Sequence, residues 1–169
     1  MIIKKTPFTG LFFFKFKIKN DSRGWLKRTY CKKQIMEFNL KQQSFVFNKK
    51  KLTLRGMHYQ VNNSKESKIL TVINGKIFDV VIDLRKNSKT YLKHYKSILD
   101  NKCGSLFIPK GFAHGYLTLT NDVLLDYKMD NFYKNKDARG IRYNDKKFNI
   151  KWPKNIKIIS HKDLNYKNY

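Results

Sequence analysis

Apolar and polar residues alternate at every second position in several short stretches of this 169-residue chain. A period of two is that of a strand with one face in a core, not of a helix. It predicts strands over 14–19, 44–48, 53–60, 69–73, 76–84, 94–99, 105–108, 113–118 and 123–129. Several are rich in Val, Ile, Phe and Tyr, whose stiff or flat side chains suit a pleated surface. Between Ile73 and Lys76 stands Asn74-Gly75, a pair that accepts the left-handed backbone of a two-residue hairpin turn. One short helix is expected over 32–38. Beyond Asp145 the chain turns polar and is expected to be irregular, with Trp152-Pro153 and Ile158-Ile159 anchoring it to the body. Strands this many and this short suit an all-β sandwich, jelly roll or barrel. No repeat or low-complexity linker divides them.

Composition narrows the class. The length suits one domain, 1–169, with one sizeable core. Hydrophobic residues make up 41% and aromatics 15%, which argues against disorder. No apolar run approaches the roughly 20 residues of a membrane-crossing helix, so no membrane partner is expected. Near the N-terminus, Leu11-Phe12-Phe13-Phe14 gives way to Lys15, Lys17 and Lys19 alternating with apolar residues. That is the mark of a strand rather than of a secretory leader. Cys31 and Cys103 share no metal-like spacing and make no disulfide framework. Two reduced thiols fit a cytoplasmic protein.

Charge is the outlying property. Lys and Arg total 37 against 12 acids, a formal charge of +25. A basic surface can gather nucleic acid by releasing counterions. Here the lysines are spread over the whole chain, the longest run is Lys49-Lys50-Lys51 at an expected turn, and no nucleic-acid motif accompanies them. A solvated lysine coat is the better reading, with no nucleic-acid partner. Its field would also draw in a phosphate-bearing substrate.

Candidate chemistry centres on Leu54-Arg55-Gly56-Met57-His58-Tyr59-Gln60. Regular alternation puts Gly56, His58 and Gln60 on one face and Arg55, Met57 and Tyr59 on the other. A barrel interior holding a His and a Gln reads as a site rather than as packing. Gly104 followed by Pro109-Lys110-Gly111-Phe112-Ala113-His114 has the spacing of the second cupin motif. The first cupin motif pairs two histidines one residue apart, but this chain has His58-Tyr59-Gln60. His58 and His114 alone make an incomplete metal site, so metal-free chemistry is expected. For His114, a buried supporting histidine and a direct role in the site stand level.

The chain resembles the dTDP-4-dehydrorhamnose 3,5-epimerase family. The resemblance rests on runs that keep one order over nearly the whole sequence. They are Asp21-Ser22-Arg23-Gly24, residues 53–60, residues 75–86, residues 107–116, Arg139-Gly140-Ile141-Arg142-Tyr143-Asn144-Asp145, Trp152-Pro153, and Ile159-Ser160-His161-Lys162-Asp163. It implies a cupin jelly-roll barrel with short peripheral helices, a homodimer, no cofactor, and a nucleotide-diphosphate sugar as substrate. It implies proton removal at C3 and C5 of a 4-keto-6-deoxy sugar, with protons returned on the opposite face. By the same resemblance His58 is the base, Asp163 its orienting carboxylate, Lys68 the enolate stabiliser and Tyr127 the acid. Arg23, Arg55, Gln42 and Tyr133 are the substrate contacts it implies, and Gln60 and His114, read above from the barrel face and the second cupin motif, are expected beside them.

The residue types suit the work. Histidine titrates near neutrality and can take and release a carbon-bound proton. A developing enolate needs a fixed positive charge, and inversion needs a donor on the far face. The chain departs from the family pattern at Lys27 and Arg28, at Gln42-Gln43-Ser44-Phe45, and at Tyr143. These departures leave the nucleotide and the sugar open. The rival readings are a relative that inverts one centre or takes another keto sugar, and a catalytically silent sugar-binding cupin.

Overall fold

The computed structural model describes residues 1–169. Fourteen strands form, β1 (Ile2–Lys5), β2 (Phe12–Lys15), β3 (Lys19–Asp21), β4 (Gly24–Leu26), β5 (Gln42–Asn48), β6 (Thr53–Gln60), β7 (Lys68–Asn74), β8 (Lys76–Asp83), β9 (His94–Asp100), β10 (Ser105–Ile108), β11 (Phe112–Thr118), β12 (Val123–Met129), β13 (Ala138–Gly140) and β14 (Ile158–Ile159). One helix, α1 (His161–Leu164), lies near the C-terminus. The first sheet runs β1-β2-β10-β7-β12-β5 and the second β13-β6-β11-β8-β9, with β14 also beside β6. Pairing is antiparallel except between β14 and β6. Asn74-Gly75 makes the expected tight turn between β7 and β8, with Gly75 at φ +83°.

The two sheets close on an apolar core supplied by alternate residues. Leu70 and Val72 of β7, Leu106 and Ile108 of β10, and Val123 and Leu125 of β12 meet Ile77 and Val81 of β8 and Phe112 of β11. The second sheet is covered on its outer face as well. There Phe78, Val80 and Ile82 of β8 pack with Leu54, Met57, Leu117, Ile141 and Phe148. The first sheet is covered in part by Phe16, Ile35 and Phe38, which close over Phe14 and Ile69. Burial on both faces explains why β8 reads as a nearly unbroken apolar run.

Three expectations change. Residues 32–38 form successive tight turns rather than a helix, closed by Gln34 and Ile35 N–H on the Cys31 carbonyl and Phe38 N–H on that of Ile35. The segment is too short to repay helix nucleation, and seating Ile35 and Phe38 on the sheet fixes it instead. The expected strand 14–19 is cut: β2 ends at Lys15, and Lys19 opens a separate hairpin, β3–β4. The tail after Asp145 is not wholly irregular, since β14 and α1 form within it, while Trp152 and Ile158-Ile159 anchor it as expected. Trp152 packs edge-on against Phe78 at 5.9 Å, and β14 adds to β6.

Candidate active site

In the half of the barrel that the apolar core leaves open lies a cavity of about 740 Å³. Its walls come from both sheets: Gln42, Ser44 and Val46 of β5, Lys68 of β7, and Tyr127 and Met129 of β12 face Arg55, His58 and Gln60 of β6 and His114 and Tyr116 of β11. Tyr133, Arg139 and the segment carrying Lys162, Asp163 and Tyr166 complete the rim. Nine of the ten residues expected at a site therefore line one cavity. The exception is Arg23. It sits in the β3–β4 turn, its side chain 87% exposed and paired with Asp21 at 2.7 Å. The turn-arginine role that its Gly24 neighbour suggests is the one it has within this chain.

Arg55 reaches the cavity because β6 is not regular. His58 pairs with His114 and Arg55 with Tyr116, so Gly56 and Met57 together oppose Gly115. Two residues against one is a bulge. It leaves Met57 in the cluster on the outer face and brings Arg55 onto the His58 face, against the regular alternation expected from the sequence. Gly56 stands at φ +121°, and a Cβ there would lie 2.5 Å from the Gly115 Cα. Asn48 then fixes the guanidinium, its Oδ1 accepting from Arg55 Nε at 2.8 Å.

His58 Nε2 lies 2.8 Å from Asp163 Oδ1. The other carboxylate oxygen accepts the Gly56 N–H at 3.0 Å. Asp163 is positioned by α1, whose N-terminal Ser160 accepts the Asp163 N–H at 3.0 Å. Burial pushes the Asp163 carboxyl up, but the bond and charge of His58, the Gly56 N–H and Ser160 outweigh it and hold it below its ordinary value. An ionised Asp163 thus fixes the ring, through Nε2, within the cavity lining. Tyr166 meets the His58 ring edge-on at 5.9 Å and rests against Gly140, where a Cβ would strike its ring at 2.2 Å.

On the opposite sheet, burial raises the Tyr127 phenol well above its ordinary value, with Tyr116 and Asp79 adding to the effect and Arg55 opposing it. The phenol is neutral at physiological pH and holds a proton it can give. Its ring lies 5.9 Å from that of His114. His114 is buried and its Nε2 is 2.6 Å from Asp79 Oδ2, so it is a supported wall of the cavity. Gln42 Oε1 accepts the Tyr133 N–H at 3.0 Å, which ties β5 to the rim. Lys68 pairs with Glu66 at 3.2 Å.

The sequence reading passed over Asn48, Glu66, Asp79, Tyr116 and Tyr166. Asp79 carried a usable signal, an acid inside the apolar run Phe78-Asp79-Val80-Val81. Tyr166 carried none, since it follows from where the tail crosses the barrel.

A family model described as dTDP-4-dehydrorhamnose 3,5-epimerase matches residues 5–169. The chain belongs to this family. A dTDP-4-dehydrorhamnose 3,5-epimerase of Shigella flexneri is 36% identical, the match covering 98% of this chain and 94% of that protein. One from Methanothermobacter thermautotrophicus is 35% identical over 96% of this chain and 91% of its own length. Among solved structures, the Bacillus anthracis enzyme with TDP and pyrophosphate bound superposes with a TM-score of 0.94 at 32% identity, covering 99% of both chains. The Legionella pneumophila enzyme in complex with dTDP-4-keto-L-rhamnose gives 0.92 at 30% identity, covering 99% of this chain and 92% of that one. The cupin jelly roll expected from the sequence is the fold found, and membership makes the chain a sugar-nucleotide epimerase.

Proposed function

We propose that the chain epimerises C3 and C5 of a dTDP-linked 4-keto-6-deoxy sugar through an enolate, with His58 as base and Tyr127 as acid. One observation carries the reading. His58 on one sheet, held by Asp163 of α1, faces Tyr127 on the other, with Lys68 lining the same cavity. In each half-reaction His58 takes the proton α to the ketone, the C–H electron pair forms a double bond to C4, and the carbonyl π pair moves onto the C4 oxygen. The Lys68 ammonium stabilises the resulting enolate. Tyr127 then returns a proton to the carbon from the far side, the electron pair reforms the ketone, and solvent restores both groups. Arg55 and the rim cations suit the diphosphate. The complexes of the relatives with TDP and with a dTDP-keto sugar support the choice of nucleotide.

The partner we infer is a second copy. Trp25, at 71% exposed, and Leu26 stand on the β3–β4 hairpin, and Phe45, at 67% exposed, and Phe47 on the edge strand β5. Exposed aromatics of this size mark an interface. Arg23, which does not reach the cavity of its own chain, is on the same hairpin. No helix is long and apolar enough to cross a membrane. Two free thiols suit a reducing compartment, and the cytoplasm is the location we infer.

Incubation with dTDP-4-keto-6-deoxyglucose in D2O, followed by NMR, tests the reaction. Deuterium is expected at C3 and C5; His58→Ala should suppress it, and Tyr127→Phe should suppress formation of the inverted product. Unchanged incorporation in His58→Ala, or unchanged inversion in Tyr127→Phe, would remove that residue from the mechanism. Deuterium at a single carbon would make the chain a one-centre epimerase.

A further inference from the structure

We propose that Glu66 is a positioning residue for the reaction: with Gln60 behind it, it holds the Lys68 ammonium at the place where the enolate oxygen forms. The inference rests on the role given to Lys68 above. Gln60, Glu66 and Lys68 all line the cavity. The carboxylate and the ammonium are nearly out of solvent, with side chains 7% and 13% exposed.

The three side chains form a directed chain. Gln60 Oε1 accepts the Lys134 N–H at 2.8 Å. A backbone N–H only donates, so this contact fixes which way the Gln60 amide points. Its Nε2 then donates to Glu66 Oε2 at 2.7 Å and to the Ser64 carbonyl at 3.0 Å. Glu66 Oε1 is left for Lys68 Nζ, 3.2 Å away. The backbone between the two charges is itself fixed, because Ser67 N–H donates to Asp130 Oδ1 at 2.7 Å.

Gln60 has both ends of its amide engaged by the protein. That makes it a support for Glu66 within the cavity wall.

Physical need points the same way. A lysine is a point charge on a flexible four-carbon stem. Left alone in a half-dry cavity, the ammonium would turn toward water rather than toward a ketone. A charge-assisted hydrogen bond to a fixed carboxylate removes that freedom. The pair uses one of the three ammonium N–H bonds and leaves the others for the C4 oxygen. The carboxylate also pairs a charge that would otherwise be buried alone.

The test compares Glu66→Gln, Glu66→Asp, Lys68→Ala and the Glu66→Gln/Lys68→Ala double variant. Each is given the 4-keto sugar nucleotide in D2O, with thermal melting as the check on folding and dTDP binding as the check on the nucleotide site. Glu66→Gln should lower kcat by about 10- to 100-fold with KM changed by less than about threefold. Glu66→Asp, which keeps the charge one methylene short, should fall between it and the native protein. The double variant should be no slower than Lys68→Ala, because the two residues act as one unit.

Native rates in Glu66→Gln beside a slow Lys68→Ala would overturn the proposal and leave the function standing. So would additive losses in the double variant. Native rates in Lys68→Ala would overturn the role of the lysine and this proposal with it.

Discussion

Asp163 and Asp83 are two buried carboxylates that the fold keeps ionised for different ends. Asp163 fixes the His58 ring. Asp83 closes the end of β8, accepting from Arg85 Nη2 at 2.7 Å and from the Ser88 and Thr90 hydroxyls. Burial pushes the Asp83 carboxyl up, but the Arg85, Ser88 and Thr90 bonds outweigh it and bring it from 3.8 to about 2. The sign follows from linkage. A carboxyl held lower in the folded state than in the unfolded one adds stability above the unfolded value, and that stability is lost as pH falls toward the folded value. On the order of 2 kcal/mol should therefore disappear between about pH 4 and pH 2. Urea unfolding across that window should show the loss. Asp83→Asn, already without the charge, should show a shallower fall. An equal slope in the variant would assign the acid sensitivity to other groups.

At the scale of the element, the bulge in β6 decides which side chains meet the substrate. A regular strand would send Arg55 to the outer face and leave His58 without it. Gly56 makes the irregularity possible, because its φ of +121° and its approach to Gly115 and His114 leave no room for a side chain. The clash of an added Cβ would be with backbone, which cannot swing aside. Gly56→Ala should cost roughly 3 kcal/mol of stability, read as a lower denaturation midpoint. Epimerase activity should fall further than the loss of folded protein explains, since Arg55 and His58 move with the bulge. A variant with native stability and rate would mean that β6 tolerates the change without moving these side chains.

For the whole molecule, the proposed dimer is tested through the exposed apolar residues of the β3–β4 hairpin and of β5. Light scattering coupled to size exclusion should give about twice the 20.3 kDa of one chain. Trp25→Lys together with Phe45→Lys should move the mass toward that of the monomer. A native protein that runs as a monomer at micromolar concentration would sink the dimer. The dispersed charge of +25 leaves such an interface to apolar side chains, since like charges facing each other would oppose it.

Much of the fold was legible because its signal is local. Period-two alternation marks several of β5 to β12 within a few residues, an apolar run marks β8, and Asn74-Gly75 states its own turn. His58 was legible as an ionisable group on a strand face. The resemblance to a known family then supplied partners that no local pattern could, since Asp163 lies 105 residues from His58 and Lys68 sits on another strand. What only the tertiary structure decided is how these groups are held. The face of Arg55 depends on a bulge that alternation cannot express. The role of Gln60 depends on Lys134, Ser64 and Glu66 meeting around its amide, and that of His114 on Asp79 across the sheet. Arg23 drops out of its own cavity because the chain leaves β2 at Lys15 and turns into a hairpin. Sequence period fixes which face a residue occupies along one regular element. Pairing between distant strands, and the irregularities that relieve it, fix what that residue then touches.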